Sequence, residues 1–442
     1  MKIKAVVSII LILTPVLFAQ QGEKIIVNLE KAITIALENN YDLKTSNLNK
    51  RIAYEKVDET WGTAVYPDVK GSVNYRRALK KGVFTIDAPG FSGTFPIGTD
   101  NTLTTTLSFT QNIFAGAVFI GAQAAEIYAR IADHQVAATE EEIKFQVKSA
   151  WFGILVTKEV LKVAQANLAQ AEDNLKNTKI KYDAGLVPEY DLVRAKVAVE
   201  TAKPELEQAN NALKLTKDAL KNIMGLSYTM EIDVTDTLVY NDMLLSGFDL
   251  VVERMFKYNP NIKQLEQGIE LRKKAVGVYK SEYLPSLKAY GAWNIESQEN
   301  DSRGIGSWRF NNSINLGLEL SVPIFNGWST DSRVRQAELE VKIAQENLKK
   351  AKEGYATQIK ETILKIENQK EKLKAYTEAV KQAELAYSLS ETRYKSGVGT
   401  QLEIIDSQTG VARAKYNYLN GVYEYYLLLS KLENLSGKES GE

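Results

Sequence analysis

The chain has 442 residues, and its 55 lysines and arginines are matched by 55 aspartates and glutamates. This zero net charge, spread along the chain, excludes the one-sided basic surface of a nucleic-acid-binding protein. The sequence contains no cysteine, which excludes disulfides, thiolate metal sites and a lipid-bearing N-terminal cysteine. The only histidine, His134, falls within a long polar helical stretch. We therefore predict neither an enzyme nor a bound cofactor.

Residues 1–19 have the composition of a secretory signal peptide. Lys2 and Lys4 precede an apolar run from Ala5 to Phe18, which is too short to cross a bilayer as a helix of the mature protein. We expect export from the cytoplasm, with cleavage close to the end of this segment.

The pattern of the remaining residues predicts two structural repeats with the same order of elements, at residues 20–227 and 228–442. Each repeat opens with an amphipathic helix, at 29–61 and 248–280, which ends at a Tyr/Pro break. Strand-like segments follow and lead into a very long helix, a turn and a final helix. Three pairs of corresponding residues are 211 or 212 positions apart: Phe114 and Phe325, Tyr182 and Tyr394, and Gly225 and Gly437. This self-similarity predicts an internally duplicated fold.

The strand-like segments alternate between apolar and polar residues. The alternating apolar residues are Leu103, Leu107 and Phe109 in the first repeat and Ile314, Leu316, Leu318, Leu320 and Val322 in the second. Partner strands begin near Val69 and Leu287, and loops at 80–101 and 297–307 separate the paired strands. Such alternation is typical of strands that cross an outer membrane, with aromatic residues at both ends of the apolar band. A half-buried sheet of a water-soluble protein would have the same alternation.

Four such strands per chain cannot span a membrane alone, because the two edge strands would expose unpaired backbone groups to lipid. The chain must therefore oligomerise, and three copies would supply twelve strands, enough for a barrel with a lumen. The predicted fold is mainly α with transmembrane β: a trimeric 12-stranded β-barrel continued by a long periplasmic α-helical coiled-coil barrel.

The long helices, predicted at 118–182 and 329–394, contain no proline and hardly a glycine. At about 1.5 Å per residue, each would be roughly 95 to 100 Å long. A coiled-coil seam is predicted at Val334, Ala337, Val341, Ala344, Leu348, Ala351 and Tyr355, and it shifts beyond Tyr355 to Ile359, Ile363 and Ile366. Taken alone, these helices would also allow a structural periplasmic coiled-coil protein without a pore.

Together these features resemble the outer-membrane efflux protein family, the TolC-like outer membrane factors, over nearly the whole mature chain. The most specific likeness lies at the two turns that follow the long helices. The residues that resemble the family's paired helix-tip motifs are Tyr182, Gly185, Leu186, Val187 and Asp191 in the first repeat, and Tyr394, Gly397, Thr400, Glu403 and Asp406 in the second.

The resemblance implies the exit duct of a tripartite efflux or type I secretion system, in the outer membrane with a periplasmic extension. The two turns would form its closed periplasmic tip. The expected partners are two further copies of the chain, outer-membrane lipid, a periplasmic adaptor and an inner-membrane pump of the RND, ABC or MFS type. The adaptor is expected to dock at the tip turns, at Gly185, Leu186, Val187, Gly397, Val398 and Thr400.

The resemblance also implies roles for polar tip residues. Glu403 and Asp406 are three residues apart on one helix face, so three-fold symmetry would stack them as two acidic rings that favour cations. The alternative is that both acids only stabilise the first turn of a helix. Asp191 and Tyr394 correspond to residues that hold the tip closed, and we expect a hydrogen bond between them. In the family's type member an arginine takes part in this closure where this chain has Gly399.

Overall fold

The computed structural model describes residues 24–437, so the predicted signal peptide lies outside the described residues. The chain divides into two compact units, which we name by their main content. The helical unit comprises the described residues up to 41, together with 142–245 and 362–432. The sheet unit comprises residues 42–141, 246–361 and 433–437.

Helices make up most of the described chain. They are α1 (Leu29–Asn39), α2 (Tyr41–Val65), α3 (Gly116–Asp183), α4 (Glu189–Ile223), α5 (Phe248–Tyr258), α6 (Pro260–Ser281), α7 (Ser329–Lys395) and α8 (Gln401–Ser436). The two long helices, α3 and α7, begin and end within two residues of their predicted bounds, which confirms them. Among the described residues, no helix combines the length and the hydropathy that a membrane-spanning helix requires.

The strands fall into three sheets. They are β1 (Lys24–Val27), β2 (Asp68–Arg77), β3 (Gly82–Ala88), β4 (Phe91–Ile97), β5 (Asn101–Phe114), β6 (Glu231–Val234), β7 (Ser286–Glu299) and β8 (Asn311–Ser321). β1 pairs with β6 in the helical unit, and β3 pairs with β4 in the sheet unit. The four strands predicted from alternation form one antiparallel sheet in the order β2-β5-β7-β8. Within the described chain β2 and β8 each have one neighbour, so this sheet has two open edges.

The register of the four-stranded sheet places the apolar residues of all four strands on one face. They include Val69 and Val73 on β2, Leu103, Leu107 and Phe109 on β5, Trp293 and Ile295 on β7, and Ile314, Leu316, Leu318 and Leu320 on β8. The other face carries polar residues, among them Lys288 on β7 directly opposite Glu319 on β8. A shift of one residue in any strand would mix the two faces.

Two glycines allow large side chains to lie across this sheet. A Cβ atom at Gly291 would be 2.3 Å from the ring of Phe109 and 2.7 Å from Leu316, on the apolar face. A Cβ atom at Gly317 would be 2.6 Å from the ring of Tyr290, on the polar face. Both positions require glycine because a neighbouring side chain already occupies the space above the backbone.

The predicted loop at 80–101 is wrong over most of its length, because β3 and β4 form an antiparallel hairpin there. Both strands contain β-branched and aromatic residues, and they meet at Gly90, which has a φ of +90°. Proline and glycine near this turn suggested a loop and obscured the strands on either side. The second predicted loop, at 297–307, begins later than expected because β7 continues to Glu299.

The single opening helices predicted at 29–61 and 248–280 are also wrong. Each is broken, at Asn40 and at Asn259. The Asn259 side chain accepts hydrogen bonds from two first-turn amides of α6 and donates to a carbonyl near the end of α8, at 3.0 Å. The Asn40 side chain donates at 2.8 Å to the last carbonyl of α4. These bonds satisfy carbonyls left free at helix ends, and periodicity along one helix cannot reveal them.

The coiled-coil seam of α7 is buried or half-buried at every predicted position up to Tyr355. After a shift of one residue it continues through Ile359 and Ile366, as predicted. Between these two, Thr362 is buried and the predicted Ile363 is half-buried beside it. A polar residue thus occupies one seam position, and a search for apolar spacing alone overlooks it.

Candidate functional site

The apolar face of the four-stranded sheet is exposed. The most exposed side chains lie on the two edge strands, β8 and β2. On β8, Ile314, Leu316 and Leu318 have 72%, 75% and 68% of their surface accessible. Val73 on β2 is 71% exposed. A continuous exposed apolar face on a sheet marks contact with another protein or with lipid, because exposure of this area to water is unfavourable.

The second feature, which we call the tip, consists of the turns after α3 and α7. Gly185 and Gly397 have φ of +71° and +77°. In each turn the glycine amide donates to the carbonyl three residues earlier, and the next amide donates to the carbonyl five residues earlier. This is the Schellman motif, which ends a helix and favours glycine. A Cβ atom at either glycine would meet nothing within 4 Å, so backbone conformation, not crowding, favours glycine here.

Gly399 is constrained by crowding. A Cβ atom at this position would lie 2.9 Å from the backbone nitrogen of Tyr394 and 3.0 Å from Arg393. Position 399 therefore has no room for a side chain in this turn. Any closure of the tip must depend on other residues.

Tyr394 is buried at the tip and contacts residues that the sequence did not suggest. Its hydroxyl lies 3.3 Å from Oγ1 of Thr178 on α3, which donates a hydrogen bond to Gln401 on α8. The amino group of Lys181 donates to the Tyr394 carbonyl at 3.0 Å and lies 3.7 Å from the centre of its ring. Within residues 24–437 of one chain, no hydrogen bond joins Tyr394 to Asp191, so the expected bond between them stays a prediction. Within one chain, Thr178 and Lys181 contact Tyr394 instead.

This cluster contains buried polar atoms without partners. Nδ2 of Asn174 and Nε2 of Gln401 are buried and have no hydrogen-bond partner within residues 24–437. Each such group costs about 1–3 kcal/mol. Asn174 also lines a cavity of about 550 Å³ beside Tyr394, together with Tyr387 and Lys181. Burial raises the pKa of the Tyr387 hydroxyl above its usual value.

The two acidic residues lie one turn apart at the start of α8 and differ in their surroundings. The Thr400 hydroxyl accepts a hydrogen bond from the Glu403 amide at 3.3 Å, so Thr400 caps this helix. The Glu403 carboxylate pairs with Arg393 at 3.3 Å. Asp406 is exposed. Glu403 therefore lies in the first turn of a capped helix, as expected if the acids only stabilise that turn, and it also has a cationic neighbour. Asp406 instead presents its charge to solvent.

Among the residues predicted for adaptor docking, two expose large apolar side chains. Leu186 and Val398, which follow the two tip glycines, are 74% and 70% exposed. Val187 is half-buried and Thr400 is exposed. An apolar pair at equivalent turns is suited to contact with another protein.

Lys181 and Thr178 lie at the tip although the sequence alone did not indicate them as tip residues. A signal for Lys181 was available, because Lys181 and Arg393 each directly precede the tip tyrosine of their repeat. No comparable pattern marks Thr178, whose role depends on the packing of α3 against Tyr394 and Gln401.

Comparison with known proteins identifies the family of this chain. The family model described as "Outer membrane efflux protein" matches residues 32–226 and 251–438. The chain belongs to this family. Its members are channel proteins, and the chain is accordingly an outer-membrane protein with a periplasmic extension, which confirms the predicted family and location.

Individual relatives in this family are distant but extend over most of the chain. The outer membrane protein TolC of Vibrio cholerae is 25% identical over 75% of this chain and 76% of its own length. TolC of Escherichia coli is 22% identical, over 90% of this chain and 80% of its own. The Campylobacter jejuni CmeC outer membrane channel, with 19% identity and a TM-score of 0.72, matches 94% of this chain and 87% of its own. That structural likeness supports the fold.

Proposed function

We propose that three copies of the chain form a passive outer-membrane channel. Each copy would contribute its four-stranded sheet to a twelve-stranded barrel, and α3, α4, α7 and α8 to a helical barrel in the periplasm. The observation that carries the proposal is the sheet itself, which has one exposed apolar face, one polar face and two open edges. Lipid would cover the apolar face, the polar face would line the lumen, and β2 of one copy would pair with β8 of the next. The two repeats, 20–227 and 228–442, would each supply two strands.

The tip would form the gated periplasmic entrance of this channel. Asp191 and Tyr394 are proposed to help close it, with Asp191 acting on a neighbouring copy because it does not bond to Tyr394 in its own chain. Lys181 and Thr178 would hold Tyr394 from within the chain. The buried amides of Asn174 and Gln401, which have no hydrogen-bond partner among the described residues, would weaken a closed arrangement, as suits an element that must open.

The channel would work with a periplasmic adaptor and an inner-membrane pump, in efflux or in type I secretion. The exposed Leu186 and Val398 support docking of the adaptor at the tip turns. Gly185 and Gly397 would contribute by fixing the turns that present these side chains, and Val187 and Thr400 lie beside them. Substrate would pass without any bond being made or broken.

The proposal is tested by recording single channels of the purified protein in a planar bilayer. We expect discrete conductance steps that prefer cations. Asp406→Asn should reduce this preference more than Glu403→Gln, since Glu403 already faces Arg393. Glu189→Gln, at another exposed acid near the tip, is the matched control. Inserted protein that never conducts, even when Tyr394 is replaced by serine to open the tip, would refute the channel. Selectivity unchanged in Asp406→Asn would refute the acidic ring.

A further inference from the structure

The β3–β4 hairpin has one uncovered apolar face. Its large side chains are Phe84, Ile86, Phe91, Phe95 and Ile97, which are all between 36% and 57% exposed. The strand register places them on one side, with Phe84 opposite Phe95, while Thr85 and Thr94 pair on the other side. Phe91 and Phe95 stack at 5.9 Å. A two-stranded hairpin is marginally stable in water by itself, so this face favours a partner.

The base of the hairpin is fixed to the neighbouring loop. Lys81 forms an ion pair with Asp100 at 2.9 Å and donates to Asn300 at 2.7 Å. Arg77 pairs with Asp301 at 2.9 Å, and the Asp301 amide donates to Asp100 at 3.1 Å. The hydrogen bond from Lys81 lowers the pKa of Asp100 below its usual value, so the bridge is charged at neutral pH. The hairpin therefore extends from an anchored base directly after β2, an edge strand of the sheet.

We propose that the hairpins of three copies pack their apolar faces against one another over the outer mouth of the channel and narrow it. This inference rests on the proposed trimer, in which β2 is the edge where copies meet. A strand of seven residues is about 23 Å long at about 3.3 Å per residue. Twelve strands about 4.8 Å apart and tilted by about 40° enclose a barrel of about 12 Å radius. Each hairpin is thus long enough to reach the three-fold axis, where three apolar faces can enclose a common core.

The charge of the hairpin favours another copy over lipid as its partner. Residues 82–97 contain one charged side chain, Asp87, and no lysine or arginine. Anionic lipid head groups would find no cation on this segment. Asp87 belongs to the polar side of the hairpin, with Thr85, so three copies can associate through their apolar faces without bringing charges together.

Disulfide trapping tests the proposal directly, because the chain contains no cysteine. Ile86→Cys places a thiol on the apolar face, and Thr85→Cys, one residue away, places the matched control on the polar face. Cysteines whose Cα atoms are within about 7 Å can be bridged. Oxidation should link copies of Ile86→Cys and leave Thr85→Cys unlinked, while both thiols react with a maleimide before oxidation.

Three outcomes would overturn the proposal. They are the absence of a cross-link at Ile86→Cys in an intact trimer, equal cross-linking at Thr85→Cys, and a spin label at residue 86 that reports immersion in the bilayer. The mass of the detergent-solubilised particle distinguishes a failure of the hairpin contact from a failure of the proposed trimeric channel. A monomer would contradict both, whereas a trimer without the cross-link would contradict the hairpin contact alone. Phe84→Ser with Phe95→Ser should also raise single-channel conductance, and an unchanged conductance would count against narrowing of the mouth.

Discussion

Lys181 provides a quantitative test of how the tip is held. Its amino group makes a hydrogen bond to the Tyr394 carbonyl and a cation–π contact with the Tyr394 ring. A hydrogen bond from a charged donor contributes about 1.5–3 kcal/mol, and a partly exposed cation–π contact about 0.5–1 kcal/mol. Because Lys181 is half-buried, solvent screening favours the lower end of the sum, about 2 kcal/mol per chain.

Lys181→Met removes both interactions and keeps the length of the side chain. If they are present only in the closed tip, the open-to-closed ratio should rise about 30-fold for each chain affected, since about 1.4 kcal/mol is a factor of ten. The measurement is the open probability of single channels at fixed voltage and salt concentration.

The matched control is Lys179→Met, which makes the same chemical change at an exposed position two residues away. It removes one positive charge from the same region, so any long-range effect of charge on gating is common to both variants. An open probability in Lys181→Met no higher than in Lys179→Met would refute the assignment of Lys181 to closure.

Three further variants test separate parts of the structure. Asn174→Leu removes a buried amide whose missing hydrogen bond destabilises the tip by about 1–3 kcal/mol. The variant should therefore lower the open probability, and a rise would contradict this reasoning. Gly291→Val drives a side chain into the space of its neighbours and should reduce the yield of heat-stable oligomer on gels, whereas Gly71→Val, with nothing within 4 Å, should not. Asn259→Ala removes a helix cap and a buried donor, so hydrogen exchange should accelerate about 30-fold or more in the first turn of α6. Asn28→Ala removes only an exposed cap and should have a smaller effect in α1.

Features that depend on neighbouring residues along the chain could be predicted from the sequence alone. The long helices were found because helical propensity accumulates over many residues without proline. The four strands of the antiparallel sheet could be predicted because alternation needs only the two-residue period of a strand. The tip turns were found because a left-handed residue at a helix end favours glycine, as at Gly185 and Gly397.

Tertiary structure decided everything that depends on contacts between distant segments. The apolar faces of four strands form one surface only through the register of their hydrogen bonds, and that register is not encoded in any single strand. Asn259 lies at a helix break, and its side chain donates a hydrogen bond to a carbonyl 176 residues later in the sequence. The hydroxyl groups of Tyr394 and Thr178 are hydrogen-bonded although they are 216 residues apart in the sequence. Such contacts leave no local periodicity, because the free energy that selects them comes from satisfying polar groups buried by packing. The sequence thus indicated the long helices, the four strands of the sheet and the tip turns, whereas packing determined where the opening helices break and which side chains meet at the tip.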